Sequence, residues 1–349
     1  MNETVLIVGA GPTGLSAAAG VASVGKKVVL IEKENRLGGA PIISGYAKLV
    51  PSGEWASDAI GRMVKRVKDD ARITIHKSTT VTKVEGDFGN FSATLSNGQT
   101  VNAGAIILGT GFTHFDSINK PEWGFGTYED VVTTTQVEQM VVAGKIACPS
   151  DGRVPERVCI LLCVGSRDRQ IGREWCSKIC CTVSTNLAME IKELSPKTDV
   201  FIYYMDIRTF GLYEDKYYWR AQEEYRTKFV KARIAEVTQG PDKRLLVKGE
   251  DTLVKRPIVI PMDLVVHAIG MDPNLDNPQI AKVFGVGLEK HGFLDRGEQY
   301  TSSFASTRRG IYVGGSALAP EDIDTSISHG LAMAVRAVGD LSGLGQKAA

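Results

Sequence analysis

The sequence predicts an α/β protein with two Rossmann-like dinucleotide-binding domains, and three observations lead to this fold class. A glycine-rich strand–helix–strand pattern fills the first forty residues. A second strand–helix–strand pattern runs from residue 158 to residue 206. Two further apolar strands, before residues 109 and 314, end in glycine turns. Strands of this apolar kind that alternate with helices are typical of a parallel sheet covered on both faces.

The first of these patterns is predicted to bind a dinucleotide. Gly9 allows the tight turn after the strand, Gly11 lets the backbone approach a pyrophosphate, and Gly14 lets the helix pack closely on the strand. The pyrophosphate would sit on the helix N-terminus. Glu32, at the end of the second strand, can accept hydrogen bonds from both ribose hydroxyls and would repel a 2′-phosphate. A glycine turn without a ligand is the alternative, and the complete context favours the ligand.

Length and charge narrow the class of protein. The chain has 349 residues, enough for two domains, and its 41 basic and 40 acidic residues leave a net charge of +1. This balance indicates neither nucleic-acid binding nor binding to an anionic membrane. No apolar run approaches the roughly 20 residues of a membrane helix. Acidic Glu3 stands where a signal peptide needs basic residues, so we expect a cytoplasmic protein.

The rest of the first half alternates helix and strand patterns. Residues 54–70 have the apolar spacing of an amphipathic helix, with a basic face that is expected to be solvated. Residues 73–84 and 91–102 are predicted strands, and the second contains a hairpin turn at residues 96–98. A buried strand at 105–108 then runs into the Gly109-Thr-Gly turn.

A second βαβ unit follows a polar, turn-rich segment at 119–157 that is predicted to mark a domain crossing. Its predicted elements are a buried strand from residue 158, a helix at 174–193 and a strand at 199–206. The turn after its first strand contains only Gly165 and no GxGxxG. Binding of NAD(P)H by this unit is therefore disfavoured.

The region after the second unit contains aromatic and strand patterns. Residues 213–228 are a predicted tyrosine-rich helix, whose aromatic stripe indicates packing or an interface between protein chains rather than a cofactor site. Predicted strands at 229–239 and 244–249 come next. The buried strand that begins at Met262 would return the chain to the first domain, and we expect its His267 to be a core residue.

Towards its C-terminus the chain has another strand that ends in glycines, at 310–316. Capping residues between 320 and 330 then predict the start of an alanine-rich helix. The N-terminus of such a helix would stabilise negative charge on a reduced flavin ring placed before it.

These glycine motifs, taken in order, resemble the flavoproteins of the thioredoxin reductase type over nearly the whole chain. The resemblance implies an FAD-binding domain in two segments, 1–118 and 269–349, with an inserted NAD(P)H-domain-like unit at 119–268. Typical members have an aspartate after the last glycine, where this sequence has Ser316. The FAD-binding positions that the resemblance implies are Gly9, Gly11, Pro12, Thr13, Gly14, Glu32, Lys33, Gly38, Gly39, Val81, Thr110, Gly111, Gly315, Ser316, Ile323 and Ser326.

The cysteines separate this chain from the disulfide reductases of that type. All six lie in one region, at 148, 159, 163, 176, 180 and 181, and none forms the Cys-x-x-Cys that such a reductase carries over its flavin. A cysteine cluster in a large chain of this kind indicates metal binding or redox chemistry. The run Cys163-x12-Cys176-x3-Cys180-Cys181 closely resembles the A subunits of heterodisulfide reductases, as does Asp206-Ile-Arg-Thr with the tyrosines after it.

In that family the four cysteines bind an unusual [4Fe-4S] cluster beside FAD, so the resemblance implies the ligands Cys163, Cys176, Cys180 and Cys181. We expect Cys176 and Cys180 on one helical face and Cys163 at the end of the preceding strand, so that four thiolates can converge. Nearby basic residues would offset the negative charge. A structural zinc site and four free thiols are the alternatives. Cys148 and Cys159 match no family position and are expected to be buried, incidental cysteines.

Full-length members carry ferredoxin-like segments, which need further Cys-x-x-Cys runs, and this sequence has no such run. The resemblance is therefore to a short form. Such short forms occur in heterodisulfide-reductase-like complexes of sulfur-oxidising bacteria and archaea. The implied function is electron transfer between FAD and the cluster. The implied partners are a second copy of this chain, other subunits of the complex, and a lipoyl-bearing or other sulfur-carrier protein. A stand-alone NAD(P)H-dependent flavoenzyme and a zinc-containing FAD scaffold are the rival hypotheses.

Overall fold

The computed structural model describes residues 1–297 and 304–343, so part of the predicted segment 269–349 lies outside the described residues. The chain divides into two compact units. The first contains Met1–Ser44, Glu54–Thr113 and the chain from Pro273 onward, and the second contains Gly45–Gly53 and His114–Asp272. The predicted α/β fold class with two Rossmann-type units is confirmed.

Most strands of the first unit come before residue 115. The elements in this part of the chain are β1 (Val5–Val8), α1 (Pro12–Ser23), β2 (Val28–Ile31), α2 (Ala40–Ile43), α3 (Ala56–Lys68), β3 (Ile73–His76), β4 (Val81–Glu85), β5 (Phe91–Leu95), β6 (Thr100–Ala103), β7 (Ala105–Leu108) and β8 (Phe112–His114). After the second unit come α7 (Asn277–Phe284), β17 (Ile311–Val313) and α8 (Ile323–Leu341).

The second unit is formed by the middle of the chain. Its elements are β9 (Val131–Thr133), α4 (Thr134–Val142), β10 (Arg157–Val164), α5 (Cys180–Leu194), β11 (Asp199–Tyr204), α6 (Arg220–Glu223), β12 (Lys228–Gln239), β13 (Leu245–Asp251), β14 (Arg256–Met262) and β15 (Leu264–Ile269). A π-helix, Glu214–Trp219, precedes α6, and β16 (Met271–Pro273) leads the chain out of the unit.

The first unit is built on a five-stranded sheet in the order β17-β7-β1-β2-β3. All of its neighbouring strands are parallel, so their carboxyl ends meet at one edge. Helix α1 connects β1 to β2 as the sequence predicts. It packs closely against α8 at Gly330, where the Cβ of any other residue would lie 2.3 Å from the carbonyl oxygen of Thr13. Close helix packing of this kind places the start of α1 at the edge of the sheet.

A separate antiparallel meander, β4-β5-β6, completes the first unit. The predicted strand at 73–84 is in fact two strands, since β3 belongs to the parallel sheet and β4 to the meander. Ser78, with a φ of 49°, turns the chain between them. The predicted hairpin turn at 96–98 is confirmed, with Gly98 in the left-handed region that this turn needs.

The second unit contains a seven-stranded sheet in the order β14-β13-β12-β11-β10-β15-β9. Strands β9, β15, β10, β11 and the start of β12 are parallel neighbours, whereas β13 and β14 are antiparallel. The predicted βαβ unit corresponds to β10, α5 and β11. His267 of β15 is fully buried, as predicted, and its Nδ1 lies 2.9 Å from the hydroxyl of Ser117.

The sequence prediction is wrong at three helices. Helix α5 begins at Cys180 rather than at residue 174, because Lys178 has a φ of 64° that no helix contains. The segment 119–157 contains β9 and α4, which were not predicted. The aromatic helix ends at Glu223, well before residue 228, because Arg226 takes a φ of 57° and β12 begins at Lys228.

No helix within the described residues is long and apolar enough to cross a membrane.

Candidate dinucleotide and cysteine sites

Glycines pack the carboxyl edge of the first sheet tightly. The Gly9 N–H donates to the Ile31 carbonyl at 2.8 Å, and the Gly109 N–H donates to the Val8 carbonyl at 2.9 Å. A Cβ at Gly14 would lie 1.8 Å from the Gly9 carbonyl oxygen, and one at Gly9 would lie 2.4 Å from the Gly109 oxygen. Two of the predicted glycine turns therefore lie against each other at the start of α1.

Helix α1 begins at this edge without a side-chain cap. Gly11 is its N-cap residue, no side chain of the described residues caps the helix start, and Pro12 occupies the first turn. The loop at Gly38 and Gly39 lies against this turn, because a Cβ at Gly39 would be 2.7 Å from the Gly11 Cα. The N–H groups of the first turn and the positive end of the helix dipole are suited to an anion such as a pyrophosphate.

Glu32 is fixed by backbone groups on both sides of its carboxylate. Its Oε2 accepts the Ala10 N–H at 2.7 Å and its Oε1 accepts the Glu34 N–H at 2.9 Å, while the residue is only 6% exposed. A carboxylate oxygen can accept more than one hydrogen bond, so each still offers an acceptor to a ribose hydroxyl. The adjacent Lys33 forms an ion pair with Asp276 at 2.8 Å.

The C-terminal glycine turn meets the same helix start. A Cβ at Gly315, whose φ is 62°, would lie 2.1 Å from the Thr13 hydroxyl oxygen. Ser316 donates to the Glu321 carbonyl at 3.4 Å within its own loop. Helix α8 then begins at Ile323, and the Asp322 carboxylate caps it by accepting the Thr325 N–H at 2.7 Å. An anionic cap reduces the positive potential that the sequence predicts at this helix start.

Thr110 is held by a residue that the sequence analysis missed. Asn274 donates from its Nδ2 to the Thr110 carbonyl at 2.7 Å, and the Thr110 hydroxyl is buried with no hydrogen-bond partner among the described residues. The turn-forming residues Pro273 and Asn274, which follow the buried strand β15 after the short β16, were the available signal. Predicted residue Val81 begins β4, and Ser326 lies in the first turn of α8.

These residues fit a dinucleotide such as FAD. The uncapped start of α1, the fixed Glu32 carboxylate and the unpartnered Thr110 hydroxyl are groups that a pyrophosphate, a ribose and a further polar atom would satisfy. The structure brings most of the predicted positions to one sheet edge. Val81 lies instead in the meander.

The four cysteines occupy three neighbouring segments of the second unit. Cys163 lies at the end of β10, where the pairing register with β15 shifts, and it has a φ of 64°. Cys176 lies in the loop before α5, and Cys180 and Cys181 form the first residues of that helix. Cys176 is therefore not on the helical face of Cys180, contrary to the sequence-based expectation. The placement of Cys163 at the end of its strand is as predicted.

The loop that carries Cys176 is held by backbone contacts. The Arg167 N–H donates to the Trp175 carbonyl at 2.8 Å, and the Lys178 N–H donates to the Cys176 Sγ at 3.3 Å. Buried Ser177 accepts the Met271 N–H at 2.8 Å, which ties the loop to the start of β16. These contacts define where Cys176 lies relative to the helix start.

The four thiols lie within electrostatic reach of one another. Burial, followed by the charges of Cys163, Cys181 and Cys176, raises the pKa of Cys180 well above its usual value. Burial likewise raises the pKa of Cys181 to about 11. Burial also raises the pKa of Cys163, against an opposing effect of Arg167, whose guanidinium pairs with Asp206. Without a bound cation, the thiols of Cys163, Cys180 and Cys181 are protonated at neutral pH.

The donor set fits a metal or an iron–sulfur cluster in number and in chemistry, since four sulfurs come from adjacent segments. As placed, however, no group of three or more His, Cys, Asp or Glu side chains in residues 1–297 and 304–343 is arranged to hold a metal ion. Binding would require the thiols to deprotonate and their side chains to converge. The expected buried state of Cys148 and Cys159 is confirmed.

Comparisons with known proteins agree with both resemblances. Residues 3–140 match the family described as pyridine nucleotide-disulphide oxidoreductase. The iron-sulfur A subunit of the CoB–CoM heterodisulfide reductase of Methanocaldococcus jannaschii is 30% identical over 94% of this chain and 63% of that protein. The A subunit of the H(2):CoB-CoM heterodisulfide,ferredoxin reductase of Methanothermobacter marburgensis is 37% identical over 68% of this chain and 37% of that protein.

The chain spans less than two thirds of the length of these curated relatives. With the Methanocaldococcus protein the alignment has 414 positions, more than the 349 residues of this chain, so that relative has residues inserted within the matched region.

Two solved structures share the fold. Thioredoxin reductase of T. acidophilum has a TM-score of 0.64 at 19% identity, over 97% of this chain and 99% of that one. The Lactococcus lactis enzyme has a TM-score of 0.65 at 17% identity, over 98% and 99%. The chain is a homologue of the A subunits of heterodisulfide reductases, and it has the two-domain Rossmann-type fold of the pyridine nucleotide-disulphide oxidoreductases.

Proposed function

We propose that this chain is an electron-transfer flavoprotein subunit that binds FAD in its first unit and an iron–sulfur cluster in its second. The observation that carries the flavin half is the fixed Glu32 carboxylate beside the uncapped start of α1. An acidic residue at this position favours an unphosphorylated ribose. The match to the pyridine nucleotide-disulphide oxidoreductase family supports FAD as the dinucleotide.

The ligands proposed for a [4Fe-4S] cluster are Cys163, Cys176, Cys180 and Cys181. Their support is the spacing of the four cysteines in the sequence, their placement at the end of β10, in the loop before α5 and at the start of that helix, and the homology to subunits named as iron-sulfur proteins. A bound cluster would supply one-electron transfer, whereas FAD exchanges electrons in pairs or singly. Zinc is the competing metal, since four thiolates also suit a tetrahedral site.

In this proposal the chain acts inside a heterodisulfide-reductase-like complex, as a homodimer with other subunits. Its relatives carry the names of such complexes, which supports assembly with partner subunits. The specific role proposed is thiol/disulfide redox chemistry or the oxidation of protein-bound reduced sulfur, with a lipoyl-bearing or other sulfur-carrier protein at the level of the complex.

The rival, a stand-alone NAD(P)H-dependent enzyme, has a specific observation against it. The only glycine in the turn after β10 is Gly165, and a Cβ there would lie 2.0 Å from the ring of Phe115. The space left by this glycine is therefore filled by an aromatic side chain rather than left open to a nucleotide backbone. Rapid reduction of the flavin by NADH or NADPH in the isolated protein would support the rival.

The proposal is tested on protein purified without oxygen. We expect flavin, iron and acid-labile sulfide together, and we expect the variant Cys176→Ala to lose iron and sulfide while it keeps flavin. Cys148→Ala removes a buried cysteine outside the set and should retain all three. Zinc without sulfide in the wild-type protein would refute the cluster, and absence of flavin after reconstitution with FAD would refute the flavoprotein assignment.

A further inference from the structure

Two buried glutamates in the second unit serve neither of the sites described above. Glu138 lies on α4 and Glu190 lies on α5, and the two residues are only 8% and 3% exposed. Carboxylates are rarely buried unless a positive charge or several hydrogen-bond donors compensate them. Their surroundings therefore determine whether they are charged.

The segment at residues 45–53, which we call the strap, supplies most of the contacts to these glutamates. Glu138 accepts the Ala47 N–H at 3.1 Å through its Oε2, and within the described residues it forms no ion pair. Lys48 Nζ lies 3.8 Å from the Glu190 Oε1, too far for a hydrogen bond, and 3.2 Å from the Glu193 Oε2. A single lysine is thus shared between Glu190 and a third carboxylate.

Two buried polar atoms in this region have no hydrogen-bond partner among the described residues. One is the Glu190 Oε1, and the other is the hydroxyl of Tyr217, a residue of the π-helix that is 1% exposed. The pKa of Tyr217 is raised to about 12 by burial and, to a smaller extent, by Tyr213 and Glu190. The Tyr217 hydroxyl therefore lies within electrostatic reach of the Glu190 carboxylate. Unpartnered buried oxygens of this kind point to a bound hydrogen-bonding species or proton that the surrounding groups do not supply.

Hydroxyl and imidazole groups extend the cluster on the side of Glu138. The Tyr46 hydroxyl lies 3.0 Å from the Nε2 of His114. Burial and then Glu138 raise the pKa of Tyr46, whereas burial lowers the pKa of His114 to about 4, so both are neutral near pH 7. His114 therefore adds no positive charge. On the solvent-exposed side of the cluster, Glu193 accepts a hydrogen bond from the hydroxyl of Tyr225 at 2.8 Å.

The number of positive charges near Glu138 and Glu190 determines whether both carboxyl groups can be ionised. Among the described residues, the cation in ion-pair contact with Glu138 or Glu190 is Lys48 alone, and the partly exposed Glu193 competes for it. Two buried carboxylates with a fraction of one positive charge would leave uncompensated negative charge in the interior, which costs more than protonating one of them. A neutral carboxylic acid has an O–H that can donate to an unpartnered oxygen.

We propose that Glu138 and Glu190 form a proton-binding site, in which at least one of the two carboxyl groups is protonated at neutral pH. The step is simple addition: a carboxylate and one proton from solvent give a carboxylic acid, and no electron or other bond is involved. Burial raises the pKa of Glu138 to about 8 and that of Glu190 to about 7, with Lys48 opposing the second shift. Such a pair titrates as a unit.

A site of this kind can take up a proton when negative charge arrives in the second unit, and can release it when that charge leaves. This property does not depend on which cofactors the chain binds. It goes beyond the proposed function, and it can be tested on the protein with or without flavin and iron.

The test is infrared spectroscopy of the whole 349-residue chain, because the carbonyl stretch of a protonated carboxyl lies apart from carboxylate and amide bands. Between pH of about 6 and about 9 we expect the wild type to lose a protonated-carboxyl band, with loss of about one proton. Glu138→Gln and Glu190→Gln should each diminish this band or shift its midpoint by about one pH unit. Gln keeps the side-chain shape and cannot ionise.

Glu236→Gln is the matched control, since Glu236 lies on β12 of the same unit, pairs with Lys248 and has 48% of its side chain exposed. It should leave the band in place. The proposal is overturned if the wild type shows no such band at pH about 6, or if the band survives unchanged in both Gln variants. Should one Gln variant fail to fold, the wild-type titration and the other variant still decide the matter.

Discussion

The carboxylate of Glu32 accepts the N–H of Ala10 across the carboxyl edge of the first sheet, at 2.7 Å. This contact joins the end of β2 to the glycine turn after β1. The residue proposed to recognise the ribose thus also fixes the turn proposed to hold the pyrophosphate. A change at Glu32 is therefore expected to affect stability and flavin binding together.

Replacing Glu32 with Gln should weaken FAD binding at least about tenfold and destabilise the apoprotein by about 1–3 kcal/mol. The amide offers one acceptor where the carboxylate offers two, so one buried N–H, of Ala10 or of Glu34, loses its partner. Flavin titration and thermal unfolding measure the two effects. Glu34→Gln alters an exposed side chain next to it and should change neither; equal losses in both variants would contradict this role of Glu32.

Gly14→Ala should abolish flavin binding or folding, because the new Cβ would lie 1.8 Å from the Gly9 carbonyl oxygen. Neither atom can move without separating α1 from β1. Gly61→Ala is the matched control: Gly61 lies inside α3 with no described atom within 4 Å of an added Cβ, so this change should stabilise the protein by up to about 1 kcal/mol. Flavin content after reconstitution and urea unfolding distinguish the two, and a soluble, flavin-replete Gly14→Ala protein would refute the argument.

The sequence predicted the elements whose signals are local. Apolar runs that end at glycine predict the first βαβ unit and the strands β7 and β10. Helix α4 was missed although its capping box, formed by Thr133 and Gln136, is a local signal that could have revealed it inside a turn-rich segment.

The start of α5 could not be predicted in the same way. Cys163, Arg167 and Lys178 all have positive φ values. None of them is a glycine, so the sequence does not indicate these backbone conformations. These values depend on contacts between distant segments, such as the bond from the Met271 N–H to Ser177. The same holds for the strap, because nothing in its sequence shows that it binds to Glu138 on α4. Long-range packing, rather than local propensity, determines these features.

Asp263→Ala should destabilise the second unit by about 3–5 kcal/mol. Asp263 is fully buried, and its carboxylate accepts from Arg153 at 3.0 Å and from the N–H groups of Glu156 and Arg157 at 3.0 and 2.8 Å. Its removal leaves these donors unsatisfied. Asp151 also pairs with Arg153 but is half exposed, so Asp151→Ala should cost under about 1 kcal/mol. Urea unfolding of both variants gives the comparison, and similar losses would contradict it.

The stability of the second unit should fall as the pH rises from about 5 to about 8, if Glu138 titrates as its surroundings indicate. Burial raises the pKa of Glu138 in the folded protein from 4.5 to about 8, so the folded state holds a proton that the unfolded chain has lost. The stabilising contribution is thus complete below about pH 4.5 and disappears as the pH passes about 8. One such carboxyl gives a slope of up to about 1.4 kcal/mol per pH unit. Chemical denaturation across this range measures it. In Glu138→Gln the slope should be smaller by roughly that amount, whereas a variant as steep as the wild type would show that Glu138 is not the titrating group.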